Sequence, residues 1–133
     1  MVQIIGWYKL MKTCSMCKLN KPISLFNKSG NKRQFMNAYC KPCQAIYDKR
    51  YNLKRRFNIT VEDYNTMFLE QGGCCAICKK HQSNFKRSLH IDHDHSTGKV
   101  RGLLCFACNS AIGKFEESEE IINNSLEYLR EWR

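Results

Sequence analysis

Asp92-His93-Asp94-His95 puts two imidazoles and two carboxylates in four consecutive positions, and Asn109 follows soon after. Hydrolysis of a phosphodiester needs an activated water, a cation facing the charge that builds on phosphorus, and help for the leaving oxygen. These residue types cover those needs. An imidazole exchanges a proton near neutrality, which suits His93 to draw one from water. Asp92 and Asn109 offer hard oxygen donors that suit Mg²⁺, with positions left for waters and a substrate phosphate. On a regular strand Asp92 and His93 would face opposite sides. Both serve one phosphate only if the strand ends or bulges there. His81 and His90 have no evident partner and read as surface or hydrogen-bonded histidines.

What gives the cluster its weight is the spacing of the cysteines around it. Cys75 and Cys78 form one C-x2-C pair and Cys105 and Cys108 another, 26 residues apart, with the His/Asp cluster between them. Cys14, Cys17, Cys40 and Cys43 repeat the arrangement with 22 residues between the pairs. Two thiolates in one tight turn can face one ion, and two such turns complete a tetrahedral shell of four sulfurs. Two structural Zn²⁺ are therefore expected, in a reducing compartment where thiols stay free. A disulfide framework, an iron–sulfur centre and redox pairs explain four such pairs less well. Cys74 is left over and reads as a half-buried spare thiol. Each unit is too small for much core, so zinc would contribute folding free energy directly, on the order of 10 kcal/mol per site in peptide models.

The elements that must position these groups follow from pattern. Phe26, Phe35 and Tyr39, with Ser29-Gly30-Asn31 as turn signals, suggest a hairpin between the first two pairs. Residues 44–57 read as a helix with Ile46, Leu53 and Phe57 near one face and Tyr47 packing on Tyr51. Thr60 and Asp63 form a capping box ahead of an apolar stripe of Val61, Tyr64, Met67 and Phe68, and Gly72-Gly73 ends that helix. Leu89 and Ile91, then Val100, Leu103 and Leu104, flank a Ser96-Thr97-Gly98 turn as two strands. Cys105–Cys108 opens a helix with Asn109 on its first turn. Ser118 caps a last helix with Glu119 and Glu120 in its first turn and Ile122, Leu126 and Leu129 as its buried seam. Residues 1–10 read as a loosely attached extension before Met11.

The chain has 133 residues, 43% hydrophobic, which suits one domain or two small ones and excludes a large multi-domain enzyme. No stretch approaches the roughly 18 apolar residues of a membrane span, so no membrane association is expected, and the start has no secretory pattern. Charge is uneven. Residues 1–60 hold 13 Lys and Arg against one acid, residues 61–115 hold 7 against 5, and residues 116–133 hold 2 against 6, giving +12, +2 and −4. The basic half calls for a polyanion, and nucleic acid is the commonest. Arg50, Lys54, Arg55 and Arg56 on the predicted helix are its expected phosphate contacts.

Cys75-x2-Cys78, His90-Ile91-Asp92-His93-Asp94-His95, Thr97-Gly98, Val100-Arg101-Gly102-Leu103-Leu104-Cys105 and Cys108-Asn109, in that order, resemble the endonuclease VII family of phage recombination nucleases, within the HNH or His-Me finger class. The resemblance covers roughly residues 58–115. It implies a ββα-metal fold that cleaves DNA with one catalytic Mg²⁺ or Mn²⁺. By position, His93 becomes the general base, Asp92 and Asn109 the ligands of the catalytic cation, and His95 a contact to the scissile phosphate, with Cys75, Cys78, Cys105 and Cys108 on structural zinc. Junction-resolving members carry a carboxylate three residues past the Asn, where this chain has Ile112. A nicking or homing enzyme therefore fits at least as well as a recombination nuclease.

The expected architecture is a small zinc-stabilised α+β protein. Residues 1–57 form a basic, DNA-binding zinc module with four cysteine ligands, and residues 58–133 form the ββα-metal nuclease domain with short flanking helices. Its expected partner is double-stranded or branched DNA, with no small-molecule cofactor and an open oligomeric state, in the cytoplasm of a phage's host. The rival is a non-catalytic zinc-finger regulator that binds nucleic acid, which would have no use for Asp92, His93 and Asn109. A protein-binding double-zinc module is disfavoured by the +12 half.

Overall fold

The computed structural model describes residues 11–30 and 35–133, so the expected extension at residues 1–10 and the hairpin tip at Asn31 lie outside it. The chain divides into two compact units, one ending at Asn58 and the next beginning at Ile59.

In the first unit, β1 (Met11–Thr13) pairs antiparallel with β2 (Asn20–Pro22), and β3 (Phe26–Lys28) with β4 (Met36–Cys40). The second pairing is the expected hairpin, closed by the Ser29 amide on the Phe35 carbonyl at 2.7 Å. α1 (Lys41–Phe57) starts as soon as β4 ends. Cys40 is its N-cap, Pro42 fits the first turn where no amide needs a partner, and Asn58 ends it in the left-handed region at φ 54°. The core is small: Cys14, Phe26, Cys40 and Cys43, with Met36 and Tyr39 against them. α1 buries only Cys43 and Leu53, and Ile46, expected on the same face, is half exposed. The stacking of Tyr47 on Tyr51 is present, at 6.2 Å between ring centroids.

The second unit opens with α2 (Val61–Glu70), whose capping box is complete. The Asp63 amide donates to the Thr60 hydroxyl, and the Thr60 amide donates to the Asp63 carboxylate. Tyr64, Met67 and Phe68 pack on a core of Cys75, Leu89, Leu103, Leu104 and Cys105. Gln71 then ties the helix to the sheet, because its carboxamide accepts from the Leu103 amide at 2.8 Å and donates to the Leu103 carbonyl at 2.9 Å. Gly73 has φ +68° and lies so close to the His81 ring that a Cβ would come within 2.7 Å of Nε2, so glycine is required on both counts. β5 (His90–His93) pairs antiparallel with β6 (Val100–Leu104), followed by α3 (Phe106–Lys114) and α4 (Glu119–Glu131). β5, β6 and α3 are the expected ββα unit.

The last helix is capped as read, the Ser118 hydroxyl accepting from the Ile121 amide. Its seam is not. Ile122, Leu126 and Leu129 are 38%, 46% and 54% exposed, and no residue of α4 is buried. Helical periodicity reports that one face is apolar; it does not say that anything covers that face.

Candidate functional site

Each set of four cysteines closes on itself. The sulfurs of Cys14, Cys17, Cys40 and Cys43 lie within 4.8 Å of one another, as do those of Cys75, Cys78, Cys105 and Cys108. Tetrahedral zinc with bonds of about 2.3 Å holds its sulfurs about 3.8 Å apart, and Cys78 and Cys105 stand at 3.9 Å. Both clusters fit a structural Zn²⁺. The sulfurs also compete electrostatically. At Cys14 and Cys75 burial opposes ionisation, but neighbouring backbone amides outweigh it and bring the thiols down to about 6. Cys43 is pushed up to about 12, first by its hydrogen bond with Cys40, and Cys108 to about 12, first by burial. A dication at the centre would favour thiolate at all four positions. Cys74 stays outside both clusters, half-buried as expected, its sulfur 3.4 Å from the Gly72 carbonyl.

The strand ends and its register changes where the Asp92 and His93 side chains would otherwise alternate. β5 ends at His93, and the register shifts there: Asp92 pairs with Gly102, but His93 pairs with Val100. Arg101 is therefore an extra residue on β6, and such a bulge re-aims side chains. Asp92 is buried to 9% exposure, while His93 and Asp94 are half-buried and His95 exposed. The rings of His93 and His95 meet edge to face at 5.0 Å.

Asp94 organises the loop between the strands. Its carboxylate accepts from the Ser96 hydroxyl (2.6 Å), the Ser96 amide (2.9 Å) and the Thr97 amide (2.7 Å). The Ser96 hydroxyl first, and the Thr97 amide next, hold its carboxyl below the usual carboxylate range. Gly98, at φ +72°, completes the turn with its amide on the Asp94 carbonyl. His95 is thus carried on a fixed loop.

The partner of the Asp92 carboxylate is Arg101, for which sequence reasoning had no role. Its Nε donates to Oδ2 at 2.7 Å and its Nη2 to Oδ1 at 3.0 Å. The other edge of the guanidinium is gripped by Glu117, at 2.9 Å from Nη1 and 3.1 Å from Nη2. Asp92 and then Glu117 raise the Arg101 pKa, and Arg101 lowers that of Glu117. Glu117 Oε1 also lies 3.4 Å from Nδ1 of His95. Asp92, Arg101 and Glu117 line a cavity of about 300 Å³ together with apolar residues that include Ile112 and Ile122. Nothing local in the sequence gives Arg101 this partner, because the register shift beside it emerges only from the pairing of His93 with Val100. Glu117 carries no local signal.

Asn109 is half-buried on the first turn of α3, the residue after Cys108, on a helix that packs against β5. His81 caps a short turn through Nδ1, as expected of a hydrogen-bonded histidine, while His90 is half-buried with its ring against Phe106 at 5.9 Å between centroids. In the first unit Arg50, Lys54, Arg55 and Arg56 are exposed on α1, with Arg55 over the Tyr51 ring at 5.6 Å. No helix among the described residues is long and apolar enough to cross a membrane.

A family model described as recombination endonuclease VII matches residues 49–131. The Gene 59 protein of Mycobacterium phage D29 is 44% identical over 75 residues, covering 56% of this chain and 45% of its own. That of Mycobacterium phage L5 is 42% identical over 74 residues, covering 55% and 44%. The match thus spans a little under half the length of either relative. Among solved structures, the ββα-Me type II restriction endonuclease Hpy99I aligns with 93% of this chain and 67% of its own, at 21% identity and a TM-score of 0.43.

Proposed function

The chain belongs to the recombination endonuclease VII family, and on that premise we propose that it is a metal-dependent DNA endonuclease. In this reading His93 is the general base, Asp92 and Asn109 hold a catalytic Mg²⁺ or Mn²⁺, and His95 contacts the scissile phosphate. The observation that carries it is the gathering of Asp92, His93 and His95 at one end of a hairpin whose second strand runs into the sulfur-anchored helix bearing Asn109.

The donors fit a hard dication. An ionised carboxylate has about four lone-pair sites, and Arg101 engages one on each oxygen of Asp92. Asp92 and Glu117 against Arg101, two carboxylates to one guanidinium, leave a net negative charge that attracts a cation. Such a cation, when bound, offsets the charge that develops on the phosphate oxygens. The chain's own residues do the rest. His93 takes the proton of the attacking water, and His95, edge-on to it, restricts its ring. The Asp94 turn keeps His95 in place. α1 is proposed to grip the DNA backbone through Arg50, Lys54, Arg55 and Arg56, with residues 1–57 as the binding module and 58–133 as the nuclease.

The bidentate hold of Arg101 on Asp92 also suits a zinc-stabilised binder that does not cut. One experiment separates the two. Zinc-loaded protein is incubated with Mg²⁺ or Mn²⁺ and supercoiled or branched DNA, beside His93→Ala. Loss of a general base slows cleavage about 10²- to 10⁴-fold. Equal cutting by both proteins would remove the assignment of His93, and DNA binding without cutting by either would favour the regulator.

A further inference from the structure

Glu117 reaches the site from outside the ββα unit, and the backbone is shaped to bring it there. Glu116 and Glu117, just past α3, both lie in the left-handed region, at φ 54° and 57°. Non-glycine residues in that region carry conformational strain and persist where surrounding structure holds them. Here the Glu117 amide donates to the Ile112 carbonyl at 3.1 Å and the Glu116 amide to the Gly113 carbonyl at 3.1 Å, wrapping the turn back over the end of α3. The side chain so delivered touches two arms of the site. One runs through Arg101 to Asp92, the other through His95 to His93.

We propose that Glu117 is a positioning residue of the nuclease site, acting through Arg101: it anchors the guanidinium so that this positive charge stays at the site when a divalent cation claims the oxygens of Asp92. The inference rests on the nuclease reading above. Its logic is competition. Arg101 and a dication both seek the Asp92 carboxylate, and each repels the other. Two bonds to Glu117 give Arg101 a second seat and offset its charge, so the cation can enter without expelling the guanidinium, which is then available to a phosphate oxygen. The lowering of the Glu117 pKa, caused first by Arg101, accords with a carboxylate that stays ionised in this role.

The test compares Glu117→Gln, Arg101→Ala and the double variant in the full, zinc-loaded chain. Zinc content and melting temperature show that the fold is kept. Cleavage is resolved into kcat and KM, and Mn²⁺ affinity is read from the free-ion electron paramagnetic resonance signal without DNA. Partners that orient metal ligands are worth about 10- to 100-fold in affinity or activity. Glu117→Gln should lower kcat by about that factor with little change in KM, and should weaken Mn²⁺ binding because Arg101 is left uncompensated. Arg101→Ala should also lower kcat but tighten Mn²⁺ binding. In the double variant kcat should match Arg101→Ala, because Glu117 acts through a group no longer there. Multiplying losses in the double variant, or a Glu117→Gln protein with unchanged kcat and Mn²⁺ affinity, would overturn the proposal while an inactive His93→Ala leaves the nuclease reading intact. A wild-type chain that cuts no better than His93→Ala would sink both.

Discussion

The two cysteine units are built on one plan, and the plan extends to single hydrogen bonds. In each, the amide four residues after the first cysteine donates to that cysteine's carbonyl, Lys18 to Cys14 and Lys79 to Cys75, and the lysine is left-handed in both, at φ 60° and 59°. In each, the residue after the first cysteine donates to a carbonyl two residues before the third, Ser15 to Ala38 and Ala76 to Leu103, at 3.0 Å. The third cysteine then caps a helix, Cys40 for α1 and Cys105 for α3. The furnishing differs. Where Asn109 follows Cys108 in the second unit, Gln44 follows Cys43 in the first and bonds to Asp48 on its own helix at 2.8 Å. Where β5 ends in Asp92 and His93, β3 ends in Asn27 and Lys28. The first helix runs 17 residues and is basic; the second runs 9. A sulfur-bound hairpin and helix is thus a frame indifferent to what it carries, and function resides in the side chains hung on it.

The sharpest way to break the comparison is to remove one cluster at a time. Cys105→Ser should abolish cleavage and reduce zinc from two ions per chain to one, read by atomic emission. Cys40→Ser should lose the same amount of zinc but weaken DNA binding first, leaving slow, salt-sensitive cutting. Equal loss of cleavage from both would show that the units are not separable. Next in size is the core. Leu103 is fully buried, so Leu103→Ala should cost about 2–5 kcal/mol in denaturant unfolding. Leu126→Ala on exposed α4 should stay within about 0.5 kcal/mol.

Acid should act on both frames alike. With Cys43 and Cys108 held up at about 12, these thiols carry protons at neutral pH that zinc must displace. Binding therefore releases protons, and affinity falls as pH falls. A chromogenic chelator should extract zinc faster at pH 5 than at pH 7, and pH-independent release would contradict the four-thiolate assignment. A smaller effect belongs to α1. If Arg50, Lys54, Arg55 and Arg56 each meet a phosphate, replacing one should reduce the slope of log affinity against log salt by about 0.9. The cap is a small effect too: Thr60→Ala should cost about 1 kcal/mol in denaturant unfolding, less than Leu103→Ala and more than Leu126→Ala.

These elements were legible in the sequence to the extent that their causes are local. The knuckles, the Thr60–Asp63 box, the Ser118 cap and the hairpin leading to Cys105 each depend on residues a few positions apart. The end of β5 at His93 was required by the chemistry and is where the register changes. Arg101 and Glu117 were not legible as a pair, because they lie 16 residues apart and meet through two left-handed glutamates, a conformation that glutamate does not advertise. The seam of α4 misled for the converse reason: Ile122, Leu126 and Leu129 have the right period, but burial depends on a neighbour that periodicity does not reveal.

Asn109 stands immediately after Cys108, on a helix whose first turn is fastened by sulfur. On the nuclease reading, a newly made chain that has not yet taken up zinc cannot present that side chain beside β5. It would be inert toward the genome of the cell that made it. Metal uptake would then arm the enzyme as well as fold it, and when a stripped chain is reconstituted activity should return in step with zinc at the cluster of Cys75, Cys78, Cys105 and Cys108.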